Sequence, residues 1–185
     1  AGMLGAHLPI LLGQSYGGAV ALAWAIRFPN RTCGMVLLGT PSHPVDSPLP
    51  LHYWLNANPV ISQFSAPLMT AFVPDSTIKS ELVDIFAPQQ PPLGYASHIG
   101  AALTLRRDAL RVNAGHRRRL QKELEALEPL YTSITTPTEI IHGDKDRTVS
   151  LELHSLPLSQ KIDGSNLKVL PGIGHMPHHG ARDDV

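Results

Sequence analysis

Disulfide chemistry is closed to this chain. Its 185 residues include one cysteine, Cys33, so no internal bridge can form, and a reducing, cytoplasmic setting is the expectation. Long hydrophobic runs are missing too, because Pro, Gly or a charge interrupts each one before it reaches the roughly 20 residues of a membrane span. An excess of one charge is also absent. Fifteen Lys and Arg balance fifteen Asp and Glu, which argues against nucleic acid or an anionic membrane as partner. The first residues, Ala1 to His7, have neither the basic nor the long apolar region of a secretory signal. They do not begin with Met, so the native N-terminus and any targeting signal are expected upstream.

What is present describes a packed protein. Hydrophobic residues make up 43% and charged residues 16%, a balance that disordered chains do not show. Pro9-Ile10-Leu11-Leu12-Gly13 is a short apolar run closed by glycine, as a strand buried on both faces would be. Gly17 to Phe28 is Ala-rich, apolar nearly all round and stopped by Pro29, which predicts a buried helix. Met35-Val36-Leu37-Leu38-Gly39 is a second buried strand. Strand, helix and strand within about 30 residues make a βαβ unit, the building block of parallel sheets.

Between Thr40 and Pro137 that pattern stops. Asp75-Ser76-Thr77 can cap a helix carrying Ile78, Leu82, Val83, Ile85 and Phe86. Tyr95, Ile99 and Leu103 recur every four residues, and Leu120, Leu124 and Leu127 repeat the helical spacing. Strands resume at Glu139-Ile140-Ile141-His142-Gly143 and Leu167-Lys168-Val169-Leu170-Pro171, with a helical stretch near Leu151 to Lys161 between them. The expectation is an α/β fold with a mainly parallel sheet, residues 1–40 and 134–185, carrying a helical cap insert over residues 41–133.

Gly13-Gln14-Ser15-Tyr16-Gly17, extended by Gly18, lies between the first strand and its helix. A sharp strand-to-helix turn would hold Ser15 in a strained conformation, so that glycines two residues away are needed to avoid clashes. Ser15 would then sit at the positive end of the helix, and the Tyr16 backbone N–H could donate to an oxyanion. A serine nucleophile needs a base, and the base needs an orienting carboxylate. Asp144 and Asp146 follow the third strand, and His175 follows the fourth, with His178 and His179 just beyond. These loops lie at carboxyl ends of strands, where open α/β sheets place their sites.

The motifs Gly13-Gln14-Ser15-Tyr16-Gly17-Gly18, Val36-Leu37-Leu38, His142-Gly143-Asp144-Lys145-Asp146 and Gly174-His175-Met176-Pro177 resemble the α/β-hydrolase superfamily, in its capped esterase and haloperoxidase-like branch. The resemblance implies Asp146 as the acid, three residues after Gly143, and His175 as the base. Asp144 is the reserve acid or else a turn residue, and His178 and His179 are the reserve bases. Gln14 stands where many relatives carry His and is expected to tune packing around the elbow.

The family also has earlier strands and a loop that supplies a second oxyanion N–H, and no such segment precedes Pro9. The chain alone is therefore expected to be weakly active and prone to aggregate. The implied reaction is hydrolysis of a small apolar ester through an acyl-enzyme, without a cofactor. Perhydrolase, C–C bond hydrolase, acyltransferase and ligand-binding receptor are alternatives on the same fold. A serine nucleophile disfavours the haloalkane dehalogenase and epoxide hydrolase branches, which use Asp.

Two other signals carry blander readings. His175, His178 and His179 lack the further converging ligands that a metal site needs. Arg106, Arg107, Arg111, Arg117, Arg118 and Arg119 alternate with no aromatic stacking platform, and Arg119 stands four residues before Glu123 as a helical pair, so a solvated helix face is expected. Tyr53, Trp54, Phe64, Met69 and Phe72 could line an acyl pocket or form ordinary cap core.

Overall fold

The structure, a computed structural model, describes residues 5, 7–46 and 48–185. The reading of residues 1–4 and 6, and of Asp75 as a capping side chain, lies outside what is described. Four strands, β1 (Ile10–Gln14), β2 (Gly34–Leu38), β3 (Thr138–Gly143) and β4 (Asn166–Leu170), form one parallel sheet in sequential order. The registers pair Gly13 with Leu37, Leu38 with Ile141 and Gly143 with Leu170, so the strands end nearly level. Helices α1 (Tyr16–Arg27), α7 (Ser155–Lys161) and the short α8 (Pro177–Gly180) belong with the sheet.

The chain divides into two compact units, residues 1–44, 85–89 and 124–185, and residues 45–84 and 90–123. In the first, alternation along each strand sends side chains to both faces. Met35, Leu37 and Ile140 meet Leu22, Ala25, Tyr131, Ile134, Leu158 and Ile162 on one side, and Leu38, Ile141 and Leu170 cluster on the other. Two faces of apolar contact are why these strands read as continuous apolar runs.

β1 departs from that expectation. Ile10 is 66% exposed and Leu12 64%, because β1 is an edge strand of the described sheet and only one of its faces is covered. For the same reason α1 buries Gly18, Ala19, Ala21, Leu22 and Ala25 while Val20 stays exposed. It is buried along one stripe rather than all round.

The second unit holds α2 (Leu51–Ala57), α3 (Ser62–Phe72), most of α4 (Asp75–Phe86), α5 (Tyr95–His98) and the front of α6 (Arg107–Leu127). The fourfold recurrence of Tyr95, Ile99 and Leu103 does not make one helix. Gly100 adopts φ 63° and separates α5 from a 3-10 turn over Ala101–Leu105. Asn56 joins α2 to α3 by accepting from the Ser65 hydroxyl at 3.0 Å, and Arg111 joins α6 to α3 by donating to the Ser62 carbonyl at 3.2 Å. Arg111 is thus a tie, whereas Arg106, Arg107, Arg117, Arg118 and Arg119 are exposed. Phe64 and Phe72 are 71% and 77% exposed, so neither is core of this unit. Among the described residues no helix is long and apolar enough to cross a membrane.

The segment after β2 is stapled by a buried histidine. His154 Nδ1 accepts the Ser42 N–H at 3.2 Å and the His43 N–H at 3.3 Å, and its carbonyl accepts the Ser42 hydroxyl. Tyr131 donates its hydroxyl to the Ser42 carbonyl at 2.6 Å. An imidazole nitrogen that accepts cannot carry a proton. Burial, then the nearby His43 and His142, push His154 down to about 4 against a weak opposing pull from Asp146. The unfolded chain therefore takes up its proton first as pH falls below the ordinary 6.5. Stability from His154 is complete above that value and is lost as pH drops toward about 4. Thermal melting between pH 7 and pH 4 should show this decline, and His154→Asn, which keeps an acceptor that does not titrate, should flatten it.

Candidate active site

Ser15 has φ 51° and ψ −125°, the only positive φ at a non-glycine among the described residues. Such a conformation costs about 1–3 kcal/mol unless its surroundings hold it. Here the Ser15 N–H donates to the Leu38 carbonyl at 2.8 Å, and the Ser15 carbonyl accepts the Gly18 N–H at 2.9 Å. The elbow is thus fastened to the neighbouring strand and to the first turn of α1.

The glycine requirement falls elsewhere than the spacing suggests. A Cβ at Gly13 would meet the Gly17 carbonyl oxygen at 2.5 Å and the Gly18 Cα at 2.6 Å, and one at Gly18 would overlap the Thr40 side chain. At Gly17 it would meet nothing described within 4 Å, because that position faces outward on the first turn of α1. Gly13 and Gly18 are sterically required; Gly17 is not. Tyr16 opens α1, directly after the serine.

His175, from the loop after β4, places Nε2 2.9 Å from Ser15 Oγ and Nδ1 2.7 Å from Asp146 Oδ2. His175 is 4% exposed, and the Asp146 side chain is fully buried. Burial by itself would raise the Asp146 carboxyl. Hydrogen bonds from His142, His175 and the Val149 N–H outweigh it and hold the group well below the usual carboxylate range. Asp146 Oδ1 takes the Thr148 and Val149 N–H groups at 2.8 and 2.9 Å. A carboxylate accepts only, so His175 must carry its proton on Nδ1, leaving Nε2 free to accept from the Ser15 hydroxyl.

The remaining candidates are placed differently. Asp144 accepts the Gly172 N–H at 2.6 Å and lies 3.4 Å from Lys145, a turn residue that ties the loops after β3 and β4. The rings of His178 and His179 on α8 meet at a tilt of 49°, and His179 also meets Phe86. Gln14 does more than adjust packing: its Nε2 donates to the His175 carbonyl at 3.1 Å, latching the elbow to the histidine loop.

Two residues escaped the sequence reading as parts of the site. Gly39 directly follows β2 with φ 50°, and a Cβ there would lie 3.1 Å from Asp146 Oδ2 and 3.2 Å from His175 Nδ1. His142, fully buried in β3, approaches Asp146 Oδ2 to 3.3 Å through Nε2. A glycine closing a strand and a polar residue within a buried strand were the available signals. Gly39→Ala should lower the unfolding free energy by about 1–3 kcal/mol through strain, read by urea denaturation. It should also displace the His175 ring resonances in NMR.

Comparison with known proteins bears on the fold that carries these residues. The family described as alpha/beta hydrolase fold matches residues 3–181. The 2-hydroxy-6-oxo-2,4-heptadienoate hydrolase of Pseudomonas putida is 29% identical over 166 residues, covering 89% of this chain and 56% of that protein. The monoacylglycerol lipase of Mycolicibacterium smegmatis is 26% identical over 167 residues, covering 90% and 54%. The solved structure of 2-hydroxy-6-oxo-6-phenylhexa-2,4-dienoate hydrolase from Rhodococcus sp. strain RHA1 superposes with a TM-score of 0.71 at 20% identity, over 97% of this chain and 62% of that one. The chain thus spans about half the length of the curated relatives it matches.

Proposed function

The chain belongs to the alpha/beta hydrolase fold family, and on that premise we propose that it carries the catalytic machinery of a serine hydrolase, with Ser15 as nucleophile, His175 as base and Asp146 as its orienting acid. The observation that carries this reading is the unbroken hydrogen-bond line from Ser15 Oγ through His175 to Asp146 Oδ2, at 2.9 and 2.7 Å.

In this reading the substrate is a carboxylic ester with an apolar acyl group, and the helical insert acts as a cap. Ser15 Oγ attacks the carbonyl carbon while its proton passes to His175 Nε2. The tetrahedral oxyanion takes a hydrogen bond from the Tyr16 N–H at the start of α1, where the helix dipole favours negative charge. His175 returns the proton to the alcohol as the C–O bond breaks. Water then repeats the sequence on the acyl-enzyme, freeing the acid and restoring Ser15. Asp146 stays ionised throughout and stabilises the imidazolium.

A second reading rests on the curated relative from Pseudomonas putida. A molecule so named carries a ketone and no ester, so hydrolysing it breaks a carbon–carbon bond beside the 6-oxo carbon. The same three residues could serve that reaction, with a carbon leaving group protonated in place of an alcohol.

A fluorophosphonate should add one phosphonyl group to the chain, seen by intact mass, and Ser15→Ala should take none. An unlabelled, folded chain would displace the hydrolase reading in favour of a binding protein. Asp146→Asn leaves the geometry in place but favours the wrong histidine tautomer, so kcat on a p-nitrophenyl ester should fall by about 10⁴-fold with KM little changed. Comparing p-nitrophenyl esters of increasing acyl length with a 2-hydroxy-6-oxo-dienoate separates the two substrate classes by kcat/KM.

A further inference from the structure

The Asp146 carboxylate has a second imidazole on it. His142 sits in β3 with no solvent exposure. Its Nε2 lies 2.9 Å from the Val149 carbonyl oxygen and 3.3 Å from Asp146 Oδ2. Both oxygens accept, so the proton is on His142 Nε2 and is shared between them. On the far side of the ring, Nδ1 lies 2.6 Å from the Ser155 hydroxyl at the start of α7. Ser155, itself fully buried, can donate to that nitrogen and so hold the ring in the tautomer that points its N–H at Asp146.

This leaves Asp146 Oδ2 with two imidazole N–H groups, His175 at 2.7 Å and His142 at 3.3 Å. The longer contact is the diverted one, because the Val149 carbonyl takes the better share of the same proton. We infer that His142 is a positioning residue for the base: it draws charge from Asp146 and fixes the carboxylate in the orientation that aims His175 Nε2 at Ser15. Val149 closes the arrangement, its carbonyl accepting from His142 and its N–H donating to Asp146 Oδ1. Loss of the His142 donor leaves the carboxylate held by three N–H groups instead of four. More of its charge then falls on the His175 proton, and the carboxylate can rotate about its bond to Cβ.

The inference rests on the proposed roles of Ser15, His175 and Asp146, and one readout is independent of turnover. The His175 Nδ1 proton bound to a buried carboxylate resonates far downfield in proton NMR, whether or not any substrate is cleaved. In His142→Leu that resonance should move further downfield, and the rate of fluorophosphonate labelling should fall by about 10- to 100-fold, the scale on which orienting partners of a functional histidine act. His142→Gln places an amide N–H near the lost Nε2–H and should restore both. With an ester as substrate the loss should appear in kcat rather than KM.

Because His142 is wholly buried, Ser155→Ala provides a second variant. It leaves the ring in place, frees its tautomer, and should shift the resonance in the same direction by a smaller amount. A resonance unchanged in folded His142→Leu, or in Ser155→Ala should His142→Leu not fold, overturns the inference. So does a wild-type chain with no downfield proton. A resonance that moves as described in a chain that neither labels nor turns over esters supports the positioning role and removes the hydrolase reading.

Discussion

The buried negative charge of Asp146 is the constraint on which the site depends. A carboxylate with no solvent exposure is stable only if protein groups replace its hydration. Four N–H groups do so, from Thr148, Val149, His175 and His142. Two come from the loop that carries the acid, one from the loop after β4 and one from within β3. Ionising Asp146 and bringing the β3 and β4 loops together are therefore one event. That coupling fixes the tautomer of His175 and leaves its Nε2 as the acceptor that faces the Ser15 hydroxyl.

The strained serine is held in a comparable way. Its φ of 51° survives because parallel pairing places the Leu38 carbonyl under its N–H, and because Gly13 and Gly18 remove the atoms that would collide around the elbow. Gly39, one strand over, leaves space for the Asp146–His175 pair. Gln14 ties the elbow to the histidine loop through the His175 carbonyl. Elbow, acid loop and base loop are thus joined by hydrogen bonds besides those of the sheet. Such joints fix the hydrogen-bonded line from Ser15 through His175 to Asp146 in place.

The apolar surface follows the same layout. Ile10 and Leu12 on the edge strand β1 and Val20 on α1 are exposed, while Leu37 and Ile140 on the central strands are fully buried. In the second unit α3 exposes Phe64, Leu68 and Phe72 at fourfold spacing. These positions bury too little to stabilise the fold by the usual apolar transfer term.

The sequence by itself determined the parallel strands, the helix that follows Ser15, and Ser15 as the candidate nucleophile. These are local properties: apolar runs of strand length, a glycine-flanked serine and a helix behind it are each written in consecutive residues. The order of serine, acid and histidine along the chain was legible for the same reason, since each follows its own strand. The resemblance already set Asp146 above Asp144 as the acid, and the tertiary structure supplies the reason: two residues apart in one loop, Asp144 accepts the Gly172 N–H while Asp146 meets His175. Only the structure showed that Gly18 rather than Gly17 is sterically required and that Gly39 and His142 stand beside the Asp146–His175 pair. Each of those depends on atoms supplied by a distant part of the chain, and no local pattern encodes which strand will bring them.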